Sequence, residues 1–265
     1  MIRAAIVLAL GMAALGAQAQ EPVRLYAAGS LRGALTEAAK AFEAKEGVAV
    51  ATTFGPSGLL RGRIAKGEPA EVFASANMTH PRSLEKDGKA GPVRLFARNR
   101  LCALAAPHVK VDTATLLERM LDPAVKLGTS TPKADPSGDY AFELFAKAEA
   151  LRPGARAALE KKALQLTGGK DSPPPPKGRS QYGQVVAEGK AHVFLTYCTN
   201  ALQAQKENPG QRIVQVPEAL AVGADYGLTV IKGARPQAGR LADFILAPAG
   251  QAILARFGFA PGDAR

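Results

Sequence analysis

The chain has 265 residues, with 34 Lys and Arg against 23 Asp and Glu, a formal net charge of +11. That length allows two modest units, each with its own core. The basic residues are scattered, with no run of four and no Trp to interleave, which argues against a nucleic-acid groove and leaves an anionic surface, a small anionic ligand or plain solubility as the reason for the surplus.

In chain order, the first segment reads as a secretory signal. Arg3 precedes an apolar run from Ala4 to Leu15, and Ala17-Gln18-Ala19 presents small residues where a signal peptidase cuts. Residues 1–19 are expected to be removed near Ala19, leaving an exported, periplasmic chain, and no later stretch is apolar for long enough to span a bilayer. Val23 to Ala28 then reads as a strand and Leu31 to Glu46 as an amphipathic helix stopped by Gly47. Val48 to Phe54, a helix from Leu59 to Lys66 and a strand from Val72 to Ala76 complete a β-α-β-α-β run, the pattern of a parallel, right-handed, doubly wound sheet. A second series follows: a strand from Leu101 to Ala106, helices near Asp112–Leu121, Asp139–Ala150 and Ala155–Leu164, a loop with four consecutive prolines (Pro173 to Pro176), a helix from Ser180 to Glu188 and a strand from Ala191 to Tyr197. A last strand at Tyr226 to Ile231 precedes C-terminal helices between Ala238 and Phe257. Two α/β units of similar size predict two lobes.

Three places share a strand end, a serine and a helix start: Gly29-Ser30-Leu31, Pro56-Ser57-Gly58 and Pro136-Ser137-Gly138. Serine caps helices by accepting from free backbone N–H groups, and those same groups with the helix dipole make an anion site. Ordinary capping without a ligand is the simpler account of the pattern alone. Cys102 and Cys198 both lie in apolar, strand-like segments of an exported chain, so a disulfide and two buried thiols both remain open. Enzyme signals are weak. Ser130-Thr-Pro-Lys133 matches S-x-x-K without the companion motifs, Leu59 breaks a nucleophile elbow at Ser57, and His80, His108 and His192 are expected to sit far apart, in loops or a strand, without an acid or nucleophile partner. A secreted serine hydrolase is therefore the weaker alternative, and Asn77-Met-Thr-His80 falls short of a metal site and reads as a surface loop.

Leu25-Tyr-Ala-Ala-Gly-Ser-Leu, Ala41-Phe-Glu-Ala-Lys-Glu-Gly-Val, Phe54-Gly-Pro-Ser-Gly-Leu-Leu, Ile64-Ala-Lys-Gly-Glu-Pro-Ala-Glu-Val-Phe-Ala-Ser-Ala and Gly250-Gln-Ala-Ile-Leu-Ala-Arg-Phe-Gly-Phe together resemble the periplasmic molybdate-binding proteins of ABC importers. The resemblance runs over nearly the whole mature chain and is tightest in its first third. It implies a type II periplasmic binding protein fold: two α/β lobes, each a mainly parallel sheet flanked by helices, joined by crossing strands around a ligand cleft. The expected lobes are residues 20–100 with 222–265, and residues 101–221. It also implies a monomer that is not an enzyme, carries no cofactor, binds molybdate or tungstate and delivers it to an inner-membrane permease. Carried over residue by residue, Ser30 and Ser57 fall on the oxyanion-binding serines, Ser137 on a backbone donor at a helix start, and Tyr197 on the tyrosine whose hydroxyl reaches the anion.

Two departures bear on the ligand. An ungapped count back from Tyr197 puts Arg179 where the family offers its remaining backbone donor. An inward Arg179 would bring a full charge and bidentate geometry, favouring sulfate or an organic anion; an outward one would only meet solvent. Asp135 and Asp139 flank Ser137 and repel an anion unless turned away or paired.

Overall fold

The computed structural model describes residues 21–175 and 177–262, so the expected secretory signal lies outside the described residues. In the first half of the chain, β1 (Val23–Ala28) passes through a 3-10 turn at Gly29–Leu31 into α1 (Arg32–Glu46), β2 (Val50–Gly55) into α2 (Ser57–Ala65), and β3 (Val72–Ser75) into α3 (Thr79–Lys86). A long strand, β4 (Arg94–Ala105), leads to α4 (Leu116–Leu121), β5 (Leu127–Ser130), α5 (Pro136–Leu151), α6 (Ala155–Lys162), β6 (Leu164–Thr167), α7 (Gln181–Ala187), β7 (Val193–Tyr197), α8 (Cys198–Glu207) and β8 (Arg212–Gln215). The chain returns through β9 (Gly223–Val230) to α9 (Pro236–Leu246), α10 (Pro248–Arg256) and the short β10 (Ala260–Pro261).

The hydrogen-bonded order is β2-β1-β3-β9-β4-β7-β5-β6. β1 is parallel to β2 and β3, and β5 is parallel to β6 and β7, whereas β9 and β4 run antiparallel to their neighbours. β4 pairs with β9 from Arg94 to Arg100 and with β7 from Leu101 to Ala105. One continuous strand is thus shared by two lobes, each with parallel strands and flanking helices, which is the expected two-lobed α/β architecture.

Local sequence explains the pieces. Val23, Leu25 and Ala27 alternate with Tyr26, so β1 feeds the main core on one face and a smaller cluster with Leu60, Ile64, Phe73 and Leu84 on the other. α1 buries Ala34, Leu35, Ala38 and Phe42, of which Leu35 and Phe42 contribute about 1.5–3 kcal/mol each. Gly47 ends it in the left-handed conformation at φ 68°. Under the same lobe, the buried Glu71 accepts from the Arg24 N–H and from the Arg235 guanidinium at 2.7 Å, and Arg235 holds its carboxyl down at about 2 despite burial.

Several expectations need correction. β4 begins at Arg94 rather than Leu101, because Arg94 and Arg98 on its open face bond to Asp243 and Asp225 and mask the strand pattern. The stretch around His80 is not a surface loop: His80 is buried in α3, and its ring is held down to about 4, mainly by desolvation. The histidines are not all far apart either, since the His108 and His192 rings meet edge to face at 5.1 Å. β6, α8 and β8 were not expected as separate elements, being short or weakly patterned.

Cys102 and Cys198 are joined in a disulfide with Cα atoms 4.8 Å apart and a sequence separation of 96 residues. Cys102 lies opposite Thr196 in the β4–β7 ladder, and Cys198 opens α8 two residues on, which brings the sulfurs together. Closing so long a loop restricts the unfolded chain, so a Cys102→Ser/Cys198→Ser variant is expected to lose about 3–5 kcal/mol in a urea unfolding experiment. An unchanged midpoint and slope would show that the bridge adds nothing to stability.

Candidate functional site

A cavity of about 120 Å³ lies between the lobes, lined by Ser30, Arg32, Ser57, Asp135 and Tyr197 together with the proline stretch Pro173–Pro175. Drug-sized ligands occupy about 300–1,000 Å³, so this space suits a small ion or molecule. It lies beyond the carboxyl ends of β1 and β2, where ligands sit on open parallel sheets.

The two serines reach it for the same local reason: each sits where a parallel strand turns directly into a helix. Ser30 stands in the 3-10 turn before α1, and its hydroxyl is 3.0 Å from that of the buried Tyr226, which also receives Asn99 Nδ2 at 3.4 Å. Ser57 opens α2 behind Pro56. Its Oγ accepts from Ala76 N at 3.1 Å, so its own hydrogen is left for another acceptor. Tyr197 ends β7, is buried, and donates to the carbonyl of Ala76 at 3.3 Å. Burial foremost raises the Tyr197 phenol well above its ordinary range, so it remains a neutral donor. Backbone contacts also cross the cleft: Gly58 N donates to Ala134 O at 2.9 Å. With the Tyr197–Ala76 bond, these contacts describe a closed cleft.

On the second lobe, Asp135 caps α5, and its Oδ1 accepts from Ser137 N at 3.0 Å. Ser137 is fully buried, its Oγ has no partner, and it is not among the residues lining the cavity. Asp135 lines the cavity instead, and desolvation pushes its carboxyl up to about 6 against the pull of the Ser137 N–H. Asp139 is turned aside to accept from Lys133 N at 2.7 Å.

Arg179 is exposed and does not line the cavity. The neighbouring Ser180 organises that turn by capping α7 through Gly183 N, and the prolines form the wall. With Arg179 outside the cavity lining, a ligand held through it is not carried forward. Arg32 was missed by sequence reasoning. It lines the cavity mouth with its guanidinium 4.8 Å from the Phe54 ring centroid, and nothing distinguishes it in sequence from other helix-surface arginines.

The hydrolase motifs do not assemble. Ser130 is buried and bonds to Thr167 Oγ1 at 2.9 Å rather than to Lys133, while Ser57 pairs with a backbone N–H. Among the described residues, no group of three or more His, Cys, Asp or Glu side chains is placed to hold a metal ion. None of the described helices is long and apolar enough to cross a membrane.

The pattern of the bacterial extracellular solute-binding proteins matches residues 23–260, and the chain belongs to that family. It is 35% identical over 243 residues to an uncharacterized protein of Pasteurella multocida (strain Pm70), covering 91% of this chain and 99% of that one. It is 33% identical over 148 residues to the molybdate-binding protein ModA of Azotobacter vinelandii, covering 55% of this chain and 58% of that one. The sulfate-binding protein SubI of Mycobacterium tuberculosis H37Rv superposes with a TM-score of 0.76 at 18% identity, over 92% of this chain and 88% of that one. The chain is thus a ModA-like periplasmic binding protein with the type II fold, and its family implies a periplasmic or secreted location.

Gly58 offers a test of closure. A Cβ there would collide with the Lys133 carbonyl oxygen and lie 2.8 Å from that of Ala134, both backbone atoms of the opposing lobe. Ala suits a helix better than Gly by up to about 1 kcal/mol, so Gly58→Ala is expected to fold while disfavouring the closed form. Small-angle scattering should show a larger radius of gyration than wild type under the same conditions. Identical scattering curves would mean that the lobes close without this contact.

Proposed function

We propose that the protein is the periplasmic solute-binding component of an ABC importer, capturing molybdate or tungstate and delivering it to the membrane permease. The observation that carries this reading is the convergence of Ser30, Ser57 and Tyr197 on one small cavity, at the starts of α1 and α2 and the end of β7. The similarity to a molybdate-binding protein over about half the chain points the same way. Neutral hydroxyls and helix-start N–H groups can hold a tetrahedral anion without a matching cation.

The mechanism is capture without chemistry. The lobes close about the β4 and β9 crossing strands, the anion exchanges water for fixed donors, and the closed form docks on the permease. The protein works as a monomer and needs no cofactor. Tungstate has nearly the size and charge of molybdate, so the same donors serve both, whereas the smaller sulfate would leave some of them unmatched.

Calorimetric titration of the mature protein with molybdate, tungstate and sulfate tests the reading. Binding of the first two with sulfate silent is the expected result, and silence from all three would move the ligand to another anion. Ser30→Ala and Ser57→Ala should each weaken molybdate binding about tenfold or more, the usual cost of a hydrogen bond to a charged group, while the protein still folds; Ser57→Ala also orphans the Ala76 N–H and should lower the unfolding midpoint modestly. Unaltered affinity in both would remove these hydroxyls from the site.

A further inference from the structure

Asp135 is an acid in a place built for an anion. Its side chain lines the cavity, is 8% exposed, and already occupies the N–H of Ser137 that a ligand oxygen would use. Its other oxygen packs on Gly168, where a Cβ would lie 2.6 Å from Oδ2; Gly168 takes φ 74° and lines the same cavity. Beside it the Ser137 hydroxyl is fully buried and unpartnered.

The groups facing Asp135 do not neutralise it. From its own helix comes the carboxylate of Asp139, which raises its proton affinity and is itself held by the Lys133 N–H. From β5 comes the hydroxyl of Ser130, and from α7 and β7 come Tyr182 and Tyr197, both kept neutral by burial. Among the described lining residues the one cation is Arg32, an exposed side chain of the opposing lobe. An ionised carboxylate and a dianion enclosed together in so small a space would repel strongly. A protonated carboxyl would instead donate its O–H to a ligand oxygen.

Building on the oxyanion reading above, we propose that Asp135 is a specificity-determining residue and that the bound complex holds one proton between its carboxyl and an oxygen of the anion. For molybdate, tungstate or sulfate, which carry no proton near neutral pH, that proton is taken from solvent. For hydrogen phosphate it arrives on the ligand. Burial pushes the free carboxyl up to about 6, and a bound dianion raises its proton affinity further. Binding of the unprotonated anions is therefore strongest below that point and weakens about tenfold per pH unit above it, until the bound form also loses its proton.

The experiment is calorimetric titration of wild type and Asp135→Asn with molybdate, sulfate and phosphate. It is run at pH 6.0 and 8.0, with two buffers of different ionisation enthalpy at the higher pH. Asn keeps the helix cap and supplies a permanent donor; Asp135→Ser keeps the cap without either acid or amide and guards against a fault peculiar to Asn. The expected result is uptake of close to one proton per molybdate bound by wild type, with sulfate silent. Neither variant should take up a proton, and Asp135→Asn should bind the anion at least tenfold tighter than wild type at pH 8.0. Anion binding by Asp135→Asn where wild type binds none would equally support the proposal, as the carboxylate would then be the excluding group. Binding by wild type without proton uptake, or with the same uptake in both variants, would overturn it and leave the oxyanion reading standing. Silence of wild type and both variants toward every anion at both pH values would overturn the two together.

Discussion

The cleft depends on one strand serving two cores. β4 gives its first seven residues, Arg94 to Arg100, to the ladder with β9 and the next five, Leu101 to Ala105, to the ladder with β7. Tyr197 is paired with Leu101, the residue at which the partner changes. That register explains why a side chain from one lobe can reach the Ala76 carbonyl of the other. Parallel strands on either side of the crossing point their carboxyl ends at a common space, and the helices that follow them begin there with unsatisfied N–H groups. The cavity follows from this topology before any particular residue is chosen.

What fills the cavity wall then decides which ligand can enter. The overall charge of +11 has little to do with it, since Arg32 is the one cation among the described lining residues. The hydroxyls at the wall already hold partners within the protein, Ser57 to Ala76 N and Ser30 to Tyr226. Groups oriented in this way by the protein would reorganise little on binding a ligand. Asp135 stands apart, because its effect on an anion changes sign with its protonation. A site of neutral donors alone would be indifferent to moderate changes of pH, whereas the Asp135 carboxyl at this wall can titrate.

The parts legible in the sequence were those with strong local signals. Strand, serine, helix in that order located Ser30 and Ser57, because a tight strand-to-helix turn needs a capping residue and leaves it at the strand's carboxyl end. Alternation and helical periodicity gave most elements of the first lobe. The parts that failed depend on partners distant in sequence. Arg94 and Arg98 made half of β4 look like a loop until their acids in α9 and β9 were in place. Ser137 was read as a donor, but whether its N–H is free depends on the rotamer of Asp135, whose side chain packs on Gly168, more than thirty residues further along the chain. Arg179 was placed by counting across a proline segment whose path no periodicity constrains, and the Cys102–Cys198 bridge needed the β4–β7 register to be resolved.

That register also bears on how the site is held ready. Tyr197 is followed at once by Cys198, whose sulfur is tied to the crossing strand, and its ring packs against Tyr140 and Tyr226. The far wall is formed by Pro173 to Pro175, whose rings fix their own backbone angles. A covalent tie, two ring contacts and a run of prolines all remove freedom when the chain folds, not when the anion arrives. Two half-sites shaped in advance are what a small ligand with few contacts requires, because it cannot supply the energy to order loops around itself.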